Sequence, residues 1–497
     1  MPAAYAELEQ RFADLADLGN AVSILGWDQE VVMPPGGAEA RAHSLAAMAG
    51  VLHERTTDPK LVKLVESLHR RRKDLSPRQR RSVELVRRQV RRATALPEAL
   101  ARDIALAESR GLEAWRAARS ARDFKLFRPA LEHMVELKRR VADTLSGRGA
   151  PYDALIDEYE PGACMADIDP LLTRLKEITV PLVRRVVAQR RKVDDAPLRK
   201  RIPVEAQRAF VGEVVTAMGI DRQRARLDLS THPFCGGIGP GDVRMTSRYD
   251  PADLAGGLFG AIHEAGHGLY EQGLSPKRAR TPLGGAISMA IHESQSRLWE
   301  NMVARSRPFW DHWYPKLRKV HPGLKGVTVE AFWRAANRMA PSLIRVESDE
   351  LTYNLHIILR YEIERDLFAG KLEVKQLPAR WNDDMRSLLG VTPKHDGVGV
   401  LQDIHWAMGS FGYFPTYSLG NLYAAQFMEA ARQDIRGLDK RLAAGDLGRL
   451  RDWLADHIHR HDQVYTAEQI ARRVTGKPLG TEAFERYITA KVEALYG

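Results

Sequence analysis

The chain has 497 residues, of which 44% are hydrophobic and 28% are charged, and its formal net charge is +11 (75 basic minus 64 acidic residues). This balance is typical of a soluble globular protein. No apolar run reaches the ~18 residues that a membrane span needs, so we expect no insertion into a bilayer.

The first twenty residues, MPAAYAELEQRFADLADLGN, carry acidic residues early and lack the basic, apolar and small-residue segments of a signal peptide. We therefore expect a cytoplasmic protein. The cysteines, Cys164 and Cys235, are too few for a disulfide framework and lack the spacing of a thiolate metal site. We expect both to be reduced thiols.

Apolar residues recur with a period of 3.6 along much of the chain, whereas alternating runs are few. This pattern predicts a mainly α fold. No internal repeat and no Gly/Ser linker divides the chain, which favours one large helical body over separate domains. The clearest helical segments of the N-terminal half are 1–24, 38–56, 78–119, 123–147, 168–192 and 203–218.

The densest basic run is HRRRKDLSPRQRRSVELVRRQVRRA, at 69–93. Val83, Val86 and Val90 recur in it at helical spacing, which predicts a surface helix with one buried stripe and solvated arginines. Binding of nucleic-acid phosphates is the alternative. No aromatic residue interrupts the run to stack on bases, so we expect no nucleic-acid partner.

Two short alternating stretches, 226–230 and 243–247, flank the sequence GGIGPG. This pattern predicts a small β-hairpin with a glycine-rich loop. The hairpin could be a stabilising flap, or its exposed strand could pair with an extended peptide. The pattern favours neither interpretation.

The segment GAIHEAGHGLYEQG, at 260–273, places two histidines four residues apart. On a helix, His263 and His267 project from one face and can share a metal ion, while Glu264 can reach a metal-activated water. The alternative is an amphipathic helix with two surface histidines. A third ligand would decide between them, because catalytic zinc usually takes three protein ligands.

A candidate third ligand lies in GGAISMAIHESQSRLWENMV, which reads as a second helix. Its apolar stripe is formed by Ile287, Ile291, Leu298 and Met302, and Glu293 lies off that stripe. Two histidines and a glutamate form a known hydrolytic zinc set. The alternative for Glu293 is an i,i+4 ion pair with Arg297.

The segment PSLIRVESDELTYNLHIILRYEIE carries a polar line at steps of four, three and four residues, formed by Arg345, Asp349, Thr352 and His356. On a helix these residues share one face, which could line a substrate groove. The planar fork of Arg345 suits a carboxylate, although a local pair with Asp349 is the alternative.

The segment GVGVLQDIHWAMGSFGYFPTYSLGNLYAAQF is rich in glycine and becomes helical only towards its end. It contains His405, Trp406, Tyr413 and Tyr417. We expect Trp406 to belong to the core. A histidine or tyrosine donor beside a metal could stabilise the oxyanion that forms when water attacks an amide.

These motifs together resemble the carboxypeptidase Taq family of HExxH metallocarboxypeptidases. The resemblance extends over essentially the whole chain, and Ser348, where the family usually has alanine, is a small departure. The matching segments, in family order, are ILGWDQEVVMPPGGAEAR, HPF at 232–234, DVRMT at 242–246, HEAGH at 263–267, HES at 292–294, IRVESDELTYNLHIILRYEIE at 344–364 and GVLQDIHW at 399–406.

The resemblance implies a mainly helical peptidase body with a deep substrate groove, similar to angiotensin-converting-enzyme-like and neurolysin-like peptidases. Residues 1–497 would form one domain, with helices of about 1–120 flanking the groove and a catalytic core of about 200–497. It also implies a homodimer that removes single residues from peptide C-termini with broad specificity, using zinc or sometimes cobalt. An endopeptidase with the same metal set is the alternative function.

The resemblance also implies roles for individual residues. The metal ligands would be His263, His267 and Glu293, and Glu264 would be the general base. The remaining site residues would be Arg345 as receptor for the terminal carboxylate, Tyr417 as oxyanion donor with His232 or His405 nearby, Tyr413 as the competing tyrosine, and Arg244 among the substrate-binding residues.

Overall fold

The computed structural model describes residues 2–146 and 149–497. Its first half is helical, as the periodicity predicts. The predicted helix over 78–119 is in fact two helices, because Pro97 lacks an N–H group and forces Leu96 into an extended conformation. The helices are α1 (Pro2–Val31), α2 (Ala38–Thr57), α3 (Pro59–Arg70), α4 (Pro77–Ala95), α5 (Glu98–Ala121), α6 (Arg128–Ser146), α7 (Pro151–Tyr159), α8 (Met165–Ala188) and α9 (Val204–Met218).

The basic run forms the end of α3, a short turn and α4. Val83, Val86 and Val90 are at most 3% exposed and pack with side chains of α1 and α3 in a small core separate from the main one. The predicted buried stripe is therefore confirmed. Arginines on the other faces form ion pairs, including Arg87 with Glu66, Arg88 with Asp157 and Arg92 with Glu158.

Residues 225–247, near the middle of the sequence, form a three-stranded sheet. Its strand order is β1 (Ala225–Leu229), β3 (Val243–Ser247), β2 (Cys235–Gly237). The predicted stretches are neighbours in this sheet, but β1 pairs with β3 in parallel, so they do not form a hairpin. The hairpin consists of β2 and β3, because Gly237 and Gly239, with φ of 139° and 113°, reverse the chain between them.

Helix α1 is attached to this sheet by two contacts. The hydroxyl of Ser23 donates a hydrogen bond to the carbonyl of Gly237 at 2.9 Å. The guanidinium of Arg244 lies 4.4 Å from the ring centre of Trp27. Helix α1 is thereby joined to the strands that precede the HEAGH helix.

The main core extends from α5 to the end of the chain, and the second half of the chain contributes most of its buried side chains. No helix among the described residues is long and apolar enough to cross a membrane. The elements are α10 (Leu254–Gly273), α11 (Met289–Arg297), a π-helical turn (Leu298–Ala304), α12 (Arg307–Val320), α13 (Val329–Ala336), α14 (Tyr353–Phe368), α15 (Leu377–Leu389), α16 (Pro415–Asp434), α17 (Leu438–Ala443), α18 (Gly448–His457), α19 (Ala467–Thr475) and α20 (Glu482–Tyr496).

Helix α11 packs closely against both α10 and α16. A Cβ atom on Gly266 would lie 2.7 Å from the Cα of Ser296, and one on Gly420 would lie 2.8 Å from Cγ of Glu293. Both contacts are too short for a side chain. The glycines therefore allow α10 and α16 to approach α11 at the level of Glu293.

Candidate active site

Three predicted ligands converge where α10 crosses α11. One ligand atom from each of His263, His267 and Glu293 lies within 4.8 Å of the others. Glu293 Oε2 is 3.6 Å from Nε2 of His263 and 3.4 Å from Nε2 of His267. Ligands bound tetrahedrally at ~2.0–2.1 Å from zinc are about 3.3 Å apart, so these distances fit a small divalent metal ion.

A neighbouring carboxylate, that of Glu300, determines which nitrogen of His263 carries the proton. Nδ1 of His263 donates to Oε2 of Glu300 at 2.9 Å, so in the neutral ring the lone pair of Nε2 is directed towards Glu293. Burial lowers the pKa of His263, but Glu293 and Glu300 outweigh burial and bring it to about 8. This concentration of negative charge favours a cation between the ligands.

The second histidine is oriented through a chain of three side chains. Nε2 of His292 donates to Glu271 at 2.7 Å, so Nδ1 of His292 is free to accept a hydrogen bond from Nδ1 of His267 at 2.5 Å. This arrangement again leaves Nε2 of His267 free to bind a metal ion.

Glu293 faces the two histidines and also forms the i,i+4 ion pair with Arg297 that was the alternative interpretation. Its Oε1 accepts from Nε of Arg297 at 2.7 Å, while Oε2 accepts from the hydroxyl of Ser296 at 3.0 Å and faces both histidines. Burial alone would raise the pKa of Glu293, but Arg297 and the histidines hold it well below its usual range. The carboxylate is therefore ionised, as a metal ligand must be.

Glu264 is 7% exposed beside the first ligand histidine. Burial raises its pKa to about 7, although His263 opposes this rise. A buried carboxylate with a pKa near neutrality can both accept and return a proton. This property suits the base position of an HExxH site.

Arg345 precedes α14, so the predicted single helical face over 345–356 is wrong. Asp349 accepts from the backbone N–H groups of Leu351 and Thr352 at 2.9 and 3.0 Å, which turns the chain before the helix begins at Tyr353. Arg345 is 6% exposed and donates to Asp403, at 2.9 and 3.0 Å, and to the hydroxyl of Tyr353. Among the residues that the structure describes, Arg345 forms no hydrogen bond or ion pair with Asp349, so the alternative pairing is not observed.

The structure brings Arg345 together with the aromatic residues of the glycine-rich segment. Its guanidinium carbon lies 5.1 Å from the ring centre of Tyr417. The rings of Tyr413 and Tyr417 are 5.3 Å apart, and His405 lies 5.4 Å from Tyr413. Trp406 is buried and donates to Glu364 at 2.7 Å, which confirms its core position.

The contacts of His232 and Arg244 lie outside the cluster of three candidate ligands. His232 is exposed, and its carbonyl accepts from the hydroxyl of Ser230 at 2.7 Å. Arg244 forms two hydrogen bonds with Asp242, each of 2.9 Å, and stacks on Trp27. Neither side chain hydrogen-bonds to the three ligands within the described part of the chain.

Sequence reasoning missed five residues that hold the site in place. A sequence signal existed for Glu271, which is four residues after His267 and shares its helical face. His292 and Asp403 lie inside the motifs HES and GVLQDIHW but carried no assigned role. The five residues are Glu271, His292, Glu300, Arg360 and Asp403.

The comparison with known families agrees with this geometry. A model of the carboxypeptidase Taq (M32) metallopeptidase family matches residues 7–492. The chain belongs to this family. It is therefore a metal-dependent carboxypeptidase.

Relatives and solved structures match the carboxypeptidase over its whole length. Thermostable carboxypeptidase 1 of Thermus thermophilus is 42% identical, over 99% of this chain and 98% of the relative. An M32 carboxypeptidase from Deinococcus radiodurans superposes with a TM-score of 0.96 at 38% identity, covering 100% of both chains. Metallocarboxypeptidase 1 of Trypanosoma cruzi gives 0.96 at 33% identity, over 99% of this chain and 100% of that one.

Proposed function

We propose that this carboxypeptidase removes single amino acids of many kinds from peptide C-termini, at a zinc or cobalt ion held by His263, His267 and Glu293. The observation that carries the proposal is the convergence of two imidazole Nε2 atoms and a carboxylate oxygen on one point. Zinc and cobalt both accept nitrogen and oxygen ligands in this arrangement.

We infer one domain over 1–497, in which helices of about 1–120 flank a deep substrate groove and about 200–497 form the catalytic core, as in neurolysin-like and angiotensin-converting-enzyme-like peptidases. We also infer a cytoplasmic homodimer that acts on peptides, with no nucleic-acid or membrane partner. The ion pairs of Arg87, Arg88 and Arg92 support the exclusion of nucleic acid.

A divalent metal at the three ligands would supply Lewis-acid polarisation of the peptide carbonyl and would lower the pKa of water in the site. Glu264 takes the proton of the attacking water and then returns it to the departing amine. Its burial supports this role, because a carboxylate with a pKa near 7 exchanges protons readily at neutral pH.

Two further groups act on the substrate in this proposal. Arg345 binds the terminal carboxylate, which limits cleavage to the last peptide bond. Tyr417 donates a hydrogen bond to the oxyanion, with Tyr413 as the competing donor and His405 beside them. The contact between Arg345 and Tyr417 supports a site in which the terminal carboxylate and the scissile carbonyl are bound side by side. His232 and Arg244 complete the proposed substrate-binding set from the sheet side.

The test uses one peptide in two forms, with a free and with an amidated C-terminus. Mass analysis should show sequential loss of single residues from the free form and greatly slowed cleavage of the amide. A chelator should abolish both activities, and added zinc or cobalt should restore them. Equal rates on the two forms, with internal fragments, would instead identify an endopeptidase.

A further inference from the structure

Two arginines share one buried carboxylate behind the proposed substrate receptor. Asp403 Oδ1 accepts from Nε and Nη2 of Arg345 at 3.0 and 2.9 Å, and Oδ2 accepts from Nε of Arg360 at 2.6 Å. The side chain of Arg360 is fully buried, and those of Arg345 and Asp403 are 7% and 13% exposed. These three groups carry two positive charges and one negative charge.

The adjoining histidines do not change this balance. Burial lowers the pKa of His356 to about 3 and that of His405 to about 4, so both rings are neutral at physiological pH. The two arginines hold the pKa of Asp403 below its usual range in spite of its burial, so the carboxylate is ionised. The cluster of Arg345, Arg360 and Asp403 therefore has one positive charge in excess.

The two arginines differ in what they can still bind. Arg360 is directed into the interior, where it donates to Asp403, to the carbonyl of His356 at 2.6 Å and to the amide oxygen of Gln402 at 2.8 Å, and it stacks on Trp381. Arg345 uses three of its five N–H groups, on Asp403 and Tyr353. Only Arg345 can therefore offer donors to a substrate.

We infer that Asp403 and Arg360 are positioning residues for the terminal carboxylate of the substrate: Asp403 fixes the guanidinium of Arg345, and Arg360 keeps the cluster one charge positive. The inference rests on the proposed role of Arg345. An isolated Arg345–Asp403 pair would be neutral and would attract a second carboxylate only weakly. The second arginine restores the charge that one carboxylate then neutralises.

Three variants distinguish the effect of the cluster's net charge from the effect of side-chain shape at position 360. Arg360→Met lowers the cluster charge to zero while keeping a long side chain against Trp381, and Arg360→Met combined with Asp403→Asn returns it to one positive charge. Arg360→Met should raise KM for a free-carboxylate peptide about tenfold or more, with little change in kcat and no change in the slow cleavage of the amidated peptide. The double variant should recover only part of this loss, because it restores the charge but lacks the carboxylate that fixes Arg345. Arg360→Lys, which keeps the charge, should stay within about threefold of the wild type.

The matched control is Arg365→Met, which removes an ion pair with Asp169 from the same helix and should leave the ratio of the two peptide rates unchanged. The inference is overturned if Arg360→Met leaves that ratio unchanged, or if the double variant binds the free peptide no better than Arg360→Met. Should Arg360→Met fail to fold, Arg360→Gln, which keeps a polar group towards Asp403, carries the same expectation.

The two proposals fail in different ways. If the wild-type enzyme releases no single C-terminal residues, the proposed function is wrong. If it does so and Arg360→Met has wild-type discrimination between free and amidated peptides, only the positioning role is wrong.

Discussion

Glu300 holds His263 from behind: its Oε2 lies 2.9 Å from Nδ1 of the ring, while Nε2 faces Glu293 at 3.6 Å. An ionised carboxylate only accepts hydrogen bonds, so it fixes the proton on Nδ1. Glu300 is itself held by Arg297 at 3.4 Å and Arg305 at 3.6 Å. The tautomer that leaves Nε2 of His263 free for a metal ion is thus fixed by groups outside the proposed ligand set.

Glu300→Gln should weaken metal binding without removing a ligand. The amide can point its NH₂ group at Nδ1, so the ring tautomer is no longer fixed, and the loss of such an outer partner typically costs about 10- to 100-fold in affinity. The measurement is competition with a chelator of known affinity. Glu330→Gln, an ion-pairing glutamate on α13, is the control. Unchanged metal affinity would show that Glu300 has no part in orienting His263.

Glu293→Gln should lower the metal content, whereas Glu264→Gln should leave it unchanged. A neutral amide is a poor zinc ligand, so the first variant should retain much less metal after dialysis. The second should keep its metal and lose turnover, because only the proton acceptor is missing. Metal analysis and peptide turnover on the same samples test both expectations. Normal metal content and activity in the Glu293 variant would refute the ligand assignment.

Local spacing was enough to predict most of the N-terminal helices and the shared face of the two histidines on α10, but not the break at Pro97 or the start of α14 at Tyr353. Val83, Val86 and Val90 are buried as their period requires, and His263 and His267 share a face because helix geometry requires it. Strand direction could not be predicted, because an alternating pattern gives the face of a strand and not its partner. The short β2 strand, with its two glycines, therefore went unrecognised, and β1 was placed in a hairpin with β3.

The partners of the site residues depend on long-range packing. Asp403 is 58 residues from Arg345 and 43 from Arg360, and no periodicity relates positions so far apart. A local carboxylate, Asp349, was the only partner that the sequence could suggest for Arg345. The structure uses Asp349 to turn the chain before α14 instead.

Tyr417→Phe should lower kcat with little change in KM. A donor used mainly in the transition state contributes about 2.7–4 kcal/mol in a known protease example, or roughly a hundredfold to a thousandfold in rate. Tyr413→Phe is the matched control, because its ring lies 5.3 Å away in the same segment. If Tyr413→Phe shows the larger loss, with metal content intact, then Tyr413 is the oxyanion donor.

Glu364 should make folding stability depend on pH. This buried carboxylate accepts hydrogen bonds from Trp406, Tyr152 and the backbone of Gly412 at 2.7, 2.7 and 2.8 Å. Burial outweighs these bonds and raises its pKa from 4.5 to about 7. Between these values the folded protein keeps a proton that the unfolded chain releases. The contribution of this group to stability therefore falls as pH rises through that window and is constant above it.

Glu364→Gln should remove this part of the pH dependence, which amounts to roughly 3 kcal/mol over the window at 1.36 kcal/mol per pH unit. Denaturant unfolding from about pH 4 to about pH 8 gives the free energy of unfolding of the wild type and the variant. As pH rises, the free energy of unfolding of the wild type should fall relative to that of Glu364→Gln, because the amide has no proton to lose. Glu362→Gln, on the same helix and paired with Lys176, is the control for a lost surface charge. Parallel profiles for wild type and Glu364→Gln would mean that the carboxylate has the same proton affinity in the folded and unfolded chain, and that its three hydrogen bonds fully offset its burial.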